Sequence, residues 1–339
     1  MPADDRLYAY SAVLMGSPVL LKLAEHNERL AGDVFRLIRQ QEDLFTVNRA
    51  GSQVMEINAA AGSHPVAVSA PVFALIQRAW EVSLLPGSSF NFAIGPLVKR
   101  WKIGFKGDSV PPAHELKALL ALTSPARVEL NEQARTVFLP EAGMEIDLGA
   151  IAKGYIADRV RDFLHQRGCF CGLINLGGNL QTLDAPEGET GWAIGLQKPF
   201  AGPGATIGTV AVSNKSVVTS GVYERYFELD GRRYHHILDP QTGYPLDNEL
   251  LSVTVISDSS LDGDIFTTLL YGLGVEKSLA LLADYPQLEA IFVTREHEVI
   301  LATQQPFRLL DEAYRLTDNT VSTARRTQPG ADSGKPACR

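Results

Sequence analysis

The sequence predicts an α+β fold, and three observations carry that reading. Segments of period two and of period 3.6 follow one another without the regular strand-helix alternation of a doubly wound sheet. The glycine turn in NLGGNL at 175–180 lacks the GxGxxG spacing of a dinucleotide fingerprint. With 339 residues and 45% hydrophobic content the chain can bury a sizeable core, and length alone gives a soft expectation of about two domains.

The elements follow in order. Residues 7–21 are apolar and read as a first strand. Residues 28–45 space Leu30, Val34, Leu37, Ile38 and Leu44 as one face of an amphipathic helix. Ser69 and Pro71 read as the start of a second helix, continued by Phe73, Ile76 and Trp80 and stopped by Pro86 and Gly87. A glycine-punctuated loop follows through Pro96, then a short helix over 113–122 and a hairpin pairing 127–130 with 136–139. MEIDLGAIAKGYIADRV at 144–160 begins as a strand and turns into a helix that Gly168 closes. GLINLGGNL at 172–180 is a strand running into a double-glycine turn, and 216–229 is rich in strand. Residues 251–256 alternate, Val253 and Val255 opposite Thr254 and Ile256. From Leu261 the period turns helical, and a further helix spans 275–283. Strands at 290–294 and 298–302 follow, and from residue 317 polar and small residues predict a disordered tail to 339.

Composition excludes several classes. Thirty-nine acidic against 31 basic residues leave a net charge of −8, with no basic face for nucleic acid. An acidic chain that handles a diphosphate draws its positive charge from a bound cation as much as from basic side chains. Three cysteines without CxxC spacing read as reduced thiols. The apolar start is a poor export signal: Asp4 and Asp5 stand where a basic cluster belongs, and Gly16 and Pro18 interrupt the run. No stretch approaches the roughly 20 apolar residues of a membrane span, so the sequence reads as soluble, and with no signal peptide or lipobox seen it reads as cytoplasmic as written.

Four constellations carry chemistry. Asp264 and Thr268, one helical turn apart in DIFTT, place a carboxylate and a hydroxyl on one face, a hard-oxygen pair that suits magnesium and equally a solvated or capping pair. His235 and His236 sit on a strand before the Asp239 turn, and because adjacent strand residues face opposite ways only one can enter a given site. His236 with Asp239 reads either as a base with its orienting carboxylate or as a buried, hydrogen-bonded histidine. DLGAIAKGY sets Lys153 near a helix start, which suits an anion. Gly177 and Gly178 permit close backbone approach.

Seven blocks occur together: MGSPV at 15–19, FNFAIGPLVKRW at 90–101, DLGAIAKGY at 147–155, INLGGNL at 174–180, TSGVYERYF at 219–227, YHHILDPQTGYP at 234–245 and GDIFTTLLYGLG at 263–274. In this order they resemble the FAD:protein FMN transferases, the ApbE-type family, over roughly residues 8–305. The resemblance implies a T-fold-like single intertwined domain over residues 1–316, in place of two domains. It implies magnesium ligands at Ala150 through its carbonyl, at Asp264 and at Thr268, with Thr267 beside them. Flavin contacts would fall on Met15, on Phe90, Asn91 and Phe92, on Asp147 and Lys153, and near His236 and Ile237, with Asn48 lining the same cleft. The implied reaction takes FAD as substrate and moves its FMN half onto a threonine or serine hydroxyl of an acceptor flavoprotein subunit or domain, expelling AMP. His236 is the expected base, with Asp239 holding it.

Two departures stand against the pattern. Relatives commonly show FDxTVGPL where this chain has Asn91 and Ala93, losing a carboxylate and a hydroxyl. Many relatives are exported, and this sequence shows no export signal. Two rival readings stay open: an FAD hydrolase using water on the same metal site, and a flavin-binding protein without catalysis.

Overall fold

The computed structural model describes residues 7–47 and 51–317. Asn48 lies outside the described residues, as does the expected tail apart from Thr317, which ends a strand.

One large sheet runs through the molecule in the order Tyr8–Leu14, Ser17–Leu23, Gly172–Leu176, Asn179–Thr182, Ser216–Gly221, Leu250–Ser257, Glu289–Thr294, Glu298–Ala302 and Arg315–Thr317. Neighbours are antiparallel until the last pair, which is parallel. Mixed helices and antiparallel strands make this an α+β fold, as the sequence predicts. The Glu28–Phe45, Gly149–Gln166 and Ser260–Leu282 helices pack on one face. A smaller sheet of Trp192–Gln197, Thr206–Val212 and Phe307–Leu309 contributes to the core on the other. The alternation along Leu250–Ser257 sorts its residues between the two faces: Val253 and Val255 join the helix-side core, Ile256 the sheet-side core.

The helices begin and end for local reasons. Asn27 accepts from the Leu30 amide at 2.9 Å and caps the first. Ser259 accepts from the Asp262 amide at 3.2 Å and caps the last. Gly274, at φ 74° and ψ 176°, breaks that helix between the two helical runs the sequence predicts. Ser260–Leu282 has the length and a mean hydropathy of 1.4 that a membrane span would need, yet its apolar residues Ile265, Phe266, Leu269 and Leu270 belong to the helix-side core.

Three expectations are corrected, and one sheet stands outside them. The first strand is a hairpin, because Met15 at φ 52° and Gly16 at φ 66° form a two-residue turn of the kind that matches strand twist. Residues 144–148 form no strand: the Ile146 amide goes to Asn58 Oδ1 at 2.8 Å and the Asp147 amide to the Phe92 carbonyl at 2.8 Å. The loop expected through Pro96 already contains the start of a helix, Gly95–Trp101, with proline in its first turn. The smaller sheet was not read at all, although Trp192, Ile194 and Leu196 alternate with exposed residues.

Candidate functional site

Two antiparallel helices build the centre of the site, and their register can be followed rung by rung. Asp158 Oδ1 accepts from the Ser260 amide at 2.8 Å, and its Oδ2 accepts from the Leu261 amide at 3.0 Å and from Ser259 Oγ at 2.9 Å. One turn back on the first helix and one turn on along the second, the Gly154 amide donates to Asp264 Oδ2 at 2.5 Å. A Cβ at Gly154 would collide with the Ser260 carbonyl and stand 2.7 Å from Asp264 Oδ2, so only glycine lets the helices meet there. Continuing that register by helix periodicity brings the Ala150 turn of the first helix level with the Thr268 turn of the second. Ala150 lies one helical turn before Gly154 on the same helix, on the turn next to the Asp264 contact.

Asp264 is buried, and burial pushes its carboxyl up to about 7. Hydrogen bonds from Asn179 Nδ2, at 2.9 Å, and from Gly154, together with the charge of Lys153, pull the other way. Lys153 immediately precedes Gly154 on the same helix and reaches the Gly177 carbonyl at 3.5 Å. Its ammonium is lowered by burial and partly restored by Asp264. Gly177 has φ 60°, and a Cβ there would collide with Ser17 Oγ and lie 2.9 Å from Lys153 Nζ. The double-glycine turn, the first hairpin and the lysine therefore converge on one place.

Beyond Lys153 lie two groups that the sequence reading quoted in TSGVYERYF without giving them a role, Glu224 and Arg225. Crowding by protein pushes Glu224 up to about 7, against the pull of Arg225 and Lys153. The Arg225 carbonyl accepts from the His236 amide at 3.1 Å and lies 3.2 Å from His236 Nδ1. A carbonyl only accepts, so Nδ1 carries the proton and Nε2 keeps a free lone pair. Burial, then the Arg225 charge, lowers His236 to about 3, so the ring is neutral at working pH. His235 faces the other way and is a core histidine, its Nε2 2.8 Å from the Leu246 carbonyl.

Several expected site residues sit elsewhere. Asp239 does not hold His236: its oxygens accept from the Gln241 amide at 2.9 Å and Thr242 Oγ1 at 3.0 Å, which shapes its own turn, and the Arg225 carbonyl takes the orienting role. Thr267 is fully buried and spends its hydroxyl on the Asp264 carbonyl at 3.0 Å and on Ser220 Oγ at 2.9 Å, so it is no free ligand. Thr268, half-buried, has a hydroxyl bonded to nothing among the described residues. Phe92 and Ile237 are buried in the helix-side core, and Phe90 both belongs to that core and lines the cavity that Asn91 borders. Asn91 caps its own turn, accepting from the Ala93 amide at 2.8 Å and donating to the Thr123 carbonyl at 2.8 Å. It borders a cavity of about 300 Å³ together with Pro240 and Gln241 of the Asp239 turn, which brings two of the sequence blocks together. Asp147 accepts from the Gly149 amide at 2.7 Å, and burial raises its carboxyl. Met15 stands at the hairpin turn, its amide 3.3 Å from Glu42 Oε2.

Residues 15–292 match the ApbE family. The chain belongs to the ApbE family. The FAD:protein FMN transferase of Klebsiella pneumoniae (strain 342) is 61% identical over 321 residues, 94% of this chain and 100% of that one. That of Treponema pallidum (strain Nichols) is 37% identical over 317 residues, covering 88% and 87%. Among solved structures, the ApbE protein of Thermotoga maritima superposes with a TM-score of 0.76 at 27% identity, covering 90% of this chain and 97% of that one. The apo form of the Pseudomonas stutzeri flavinyl transferase ApbE gives 0.73 at 32% identity, covering 86% and 92%.

In this ApbE chain no cluster of three His, Cys, Asp or Glu side chains suits a metal among the described residues. The helix pair offers a different donor set: one carboxylate, one hydroxyl and one backbone carbonyl. These are hard oxygens, and magnesium, which keeps several waters and substrate phosphate oxygens, needs few protein ligands. A buried carboxylate pushed up to about 7 beside an unbonded hydroxyl fits a cation that would hold it ionised.

Proposed function

We propose that this chain is a magnesium-dependent FAD:protein FMN transferase, which moves FMN from FAD onto a threonine or serine hydroxyl of an acceptor protein and releases AMP. The observation that carries the reading is the Gly154 amide donating to the buried Asp264 carboxylate, one helical turn from Ala150 on one helix and from Thr268 on the other. Ala150, Asp264 and Thr268 would hold magnesium, which when bound neutralises diphosphate charge and eases departure of AMP.

The remaining chemistry belongs to the chain's own side chains. Lys153, held near the Gly177 turn, supplies a further positive charge to an anionic ligand. The Arg225 carbonyl fixes the imidazole of His236 so that Nε2 can accept a proton. The acceptor hydroxyl oxygen bonds to the FMN-side phosphorus, the anhydride bond to the AMP phosphate breaks, and the hydroxyl proton passes to Nε2. Much of the acceleration in such transfers comes from positioning, which these buried, hydrogen-bonded groups supply.

The test is direct. The protein is incubated with FAD, magnesium and a candidate acceptor domain, and the acceptor is weighed by mass spectrometry while AMP is assayed. An acceptor heavier by one FMN, with equimolar AMP, supports transfer. Free FMN with an unmodified acceptor marks a hydrolase, and intact FAD marks a flavin-binding protein.

A further inference from the structure

Asn179 ends the double-glycine turn and is buried, with both ends of its amide engaged: Nδ2 donates to Asp264 Oδ1 at 2.9 Å and Oδ1 accepts from Ser260 Oγ at 2.7 Å. Ser260 is itself fully buried, its amide tied to Asp158 at 2.8 Å. An ionised carboxylate only accepts, so the Asn179 amide presents N–H to Asp264, and the Ser260 hydroxyl, donating to the Oδ1 that remains, holds the amide in that orientation. Asp264 Oδ2 is fixed separately by the Gly154 amide at 2.5 Å. Each carboxylate oxygen thus receives one donor from a different element and keeps a lone pair in a set orientation. A carboxylate that must meet a cation in near-octahedral geometry gains from such fixing.

We propose that Asn179, oriented by Ser260, is the positioning residue that aims the Asp264 carboxylate at a divalent cation. The inference rests on the metal reading given above and assigns a task to two residues outside the ligand set. It accounts for a polar pair in the core at a place where apolar side chains would pack without a desolvation cost. Because the Ser260 hydroxyl reaches Asp264 only through Asn179, the two residues act as one unit.

The probe is Mn²⁺ alone, its free-ion electron paramagnetic resonance signal titrated against the full chain. Asn179→Ala is expected to weaken Mn²⁺ binding roughly 10- to 100-fold. Ser260→Ala weakens it less, and the double variant binds no worse than Asn179→Ala, since two links of one relay do not add. In turnover with FAD the apparent KM for Mg²⁺ rises while kcat at saturating Mg²⁺ is kept. Asn179→Ala binding Mn²⁺ as tightly as the parent, or losses that multiply in the double variant, overturns the relay. Should Asn179→Ala not fold, Ser260→Ala decides alone: weaker binding supports the relay and unchanged binding overturns it. A parent chain that takes up no Mn²⁺ overturns the metal reading itself, a result distinct from all of these.

Discussion

His236 keeps its Nε2 lone pair because Nδ1 is committed to the Arg225 carbonyl at 3.2 Å. Replacing it with alanine is expected to lower FMN transfer roughly a hundred- to ten-thousand-fold while FAD affinity stays within a few-fold. Full transfer by His236→Ala would move the base elsewhere. The same ring makes a pH prediction. Unfolded, it takes a proton near 6.5; folded, it refuses one until about 3. Between those values the unfolded state binds the extra proton, so the stability His236 contributes is present above 6.5 and lost as pH falls towards 3. Urea unfolding across that window should show His236→Gln losing stability less steeply, by one proton, and parallel curves would contradict it. The sequence made the choice between the two histidines a matter of strand parity and named His236. It did not reveal that a backbone carbonyl, not Asp239, orients the ring, because a main-chain acceptor leaves no mark in residue type.

Among elements, the antiparallel helix pair carries the most information. Gly154→Ala on an open helix would gain about 1 kcal/mol from helix propensity. Here its Cβ meets the Ser260 carbonyl and Asp264, so the variant is expected to lose about 1–3 kcal/mol and its divalent-cation binding. A more stable Gly154→Ala that still binds the cation would refute the rung geometry. Asp264 and Thr268 could be paired from the sequence, since one helical turn separates them. The register that sets the Ala150 turn against theirs could not, because it depends on Asp158 bonding a helix start 102 residues further along the chain. Phe92 and Ile237 show the opposite case: their motifs flank the site, but their side chains gain more from the core, while Phe90 and Asn91 border the cavity. The smaller sheet was legible in the alternation of Trp192, Ile194 and Leu196 and went unread because short strands with glycine between them give a weak period.

For the molecule as a whole, a net charge of −8 sits beside a function that handles a diphosphate. The fold reconciles them locally, bringing Lys153 and Arg225 near Asp264 from segments far apart in the chain. Chelation with EDTA is therefore expected to abolish AMP release from FAD, with recovery on adding excess magnesium; turnover that persists in the chelator would remove the metal from the account. The large sheet holds these segments in place, and its α+β character was legible from the irregular order of periods. Its strand order was not, since the first hairpin pairs with a strand some 150 residues later. The most direct measurement is the anomalous difference map of a crystal soaked in Mn²⁺ and AMP. The account predicts one peak in coordination contact with the Ala150 carbonyl, Asp264 and Thr268, where magnesium would sit about 2.1 Å from each oxygen. A peak that leaves out Asp264, or no peak between the two helices, would contradict it.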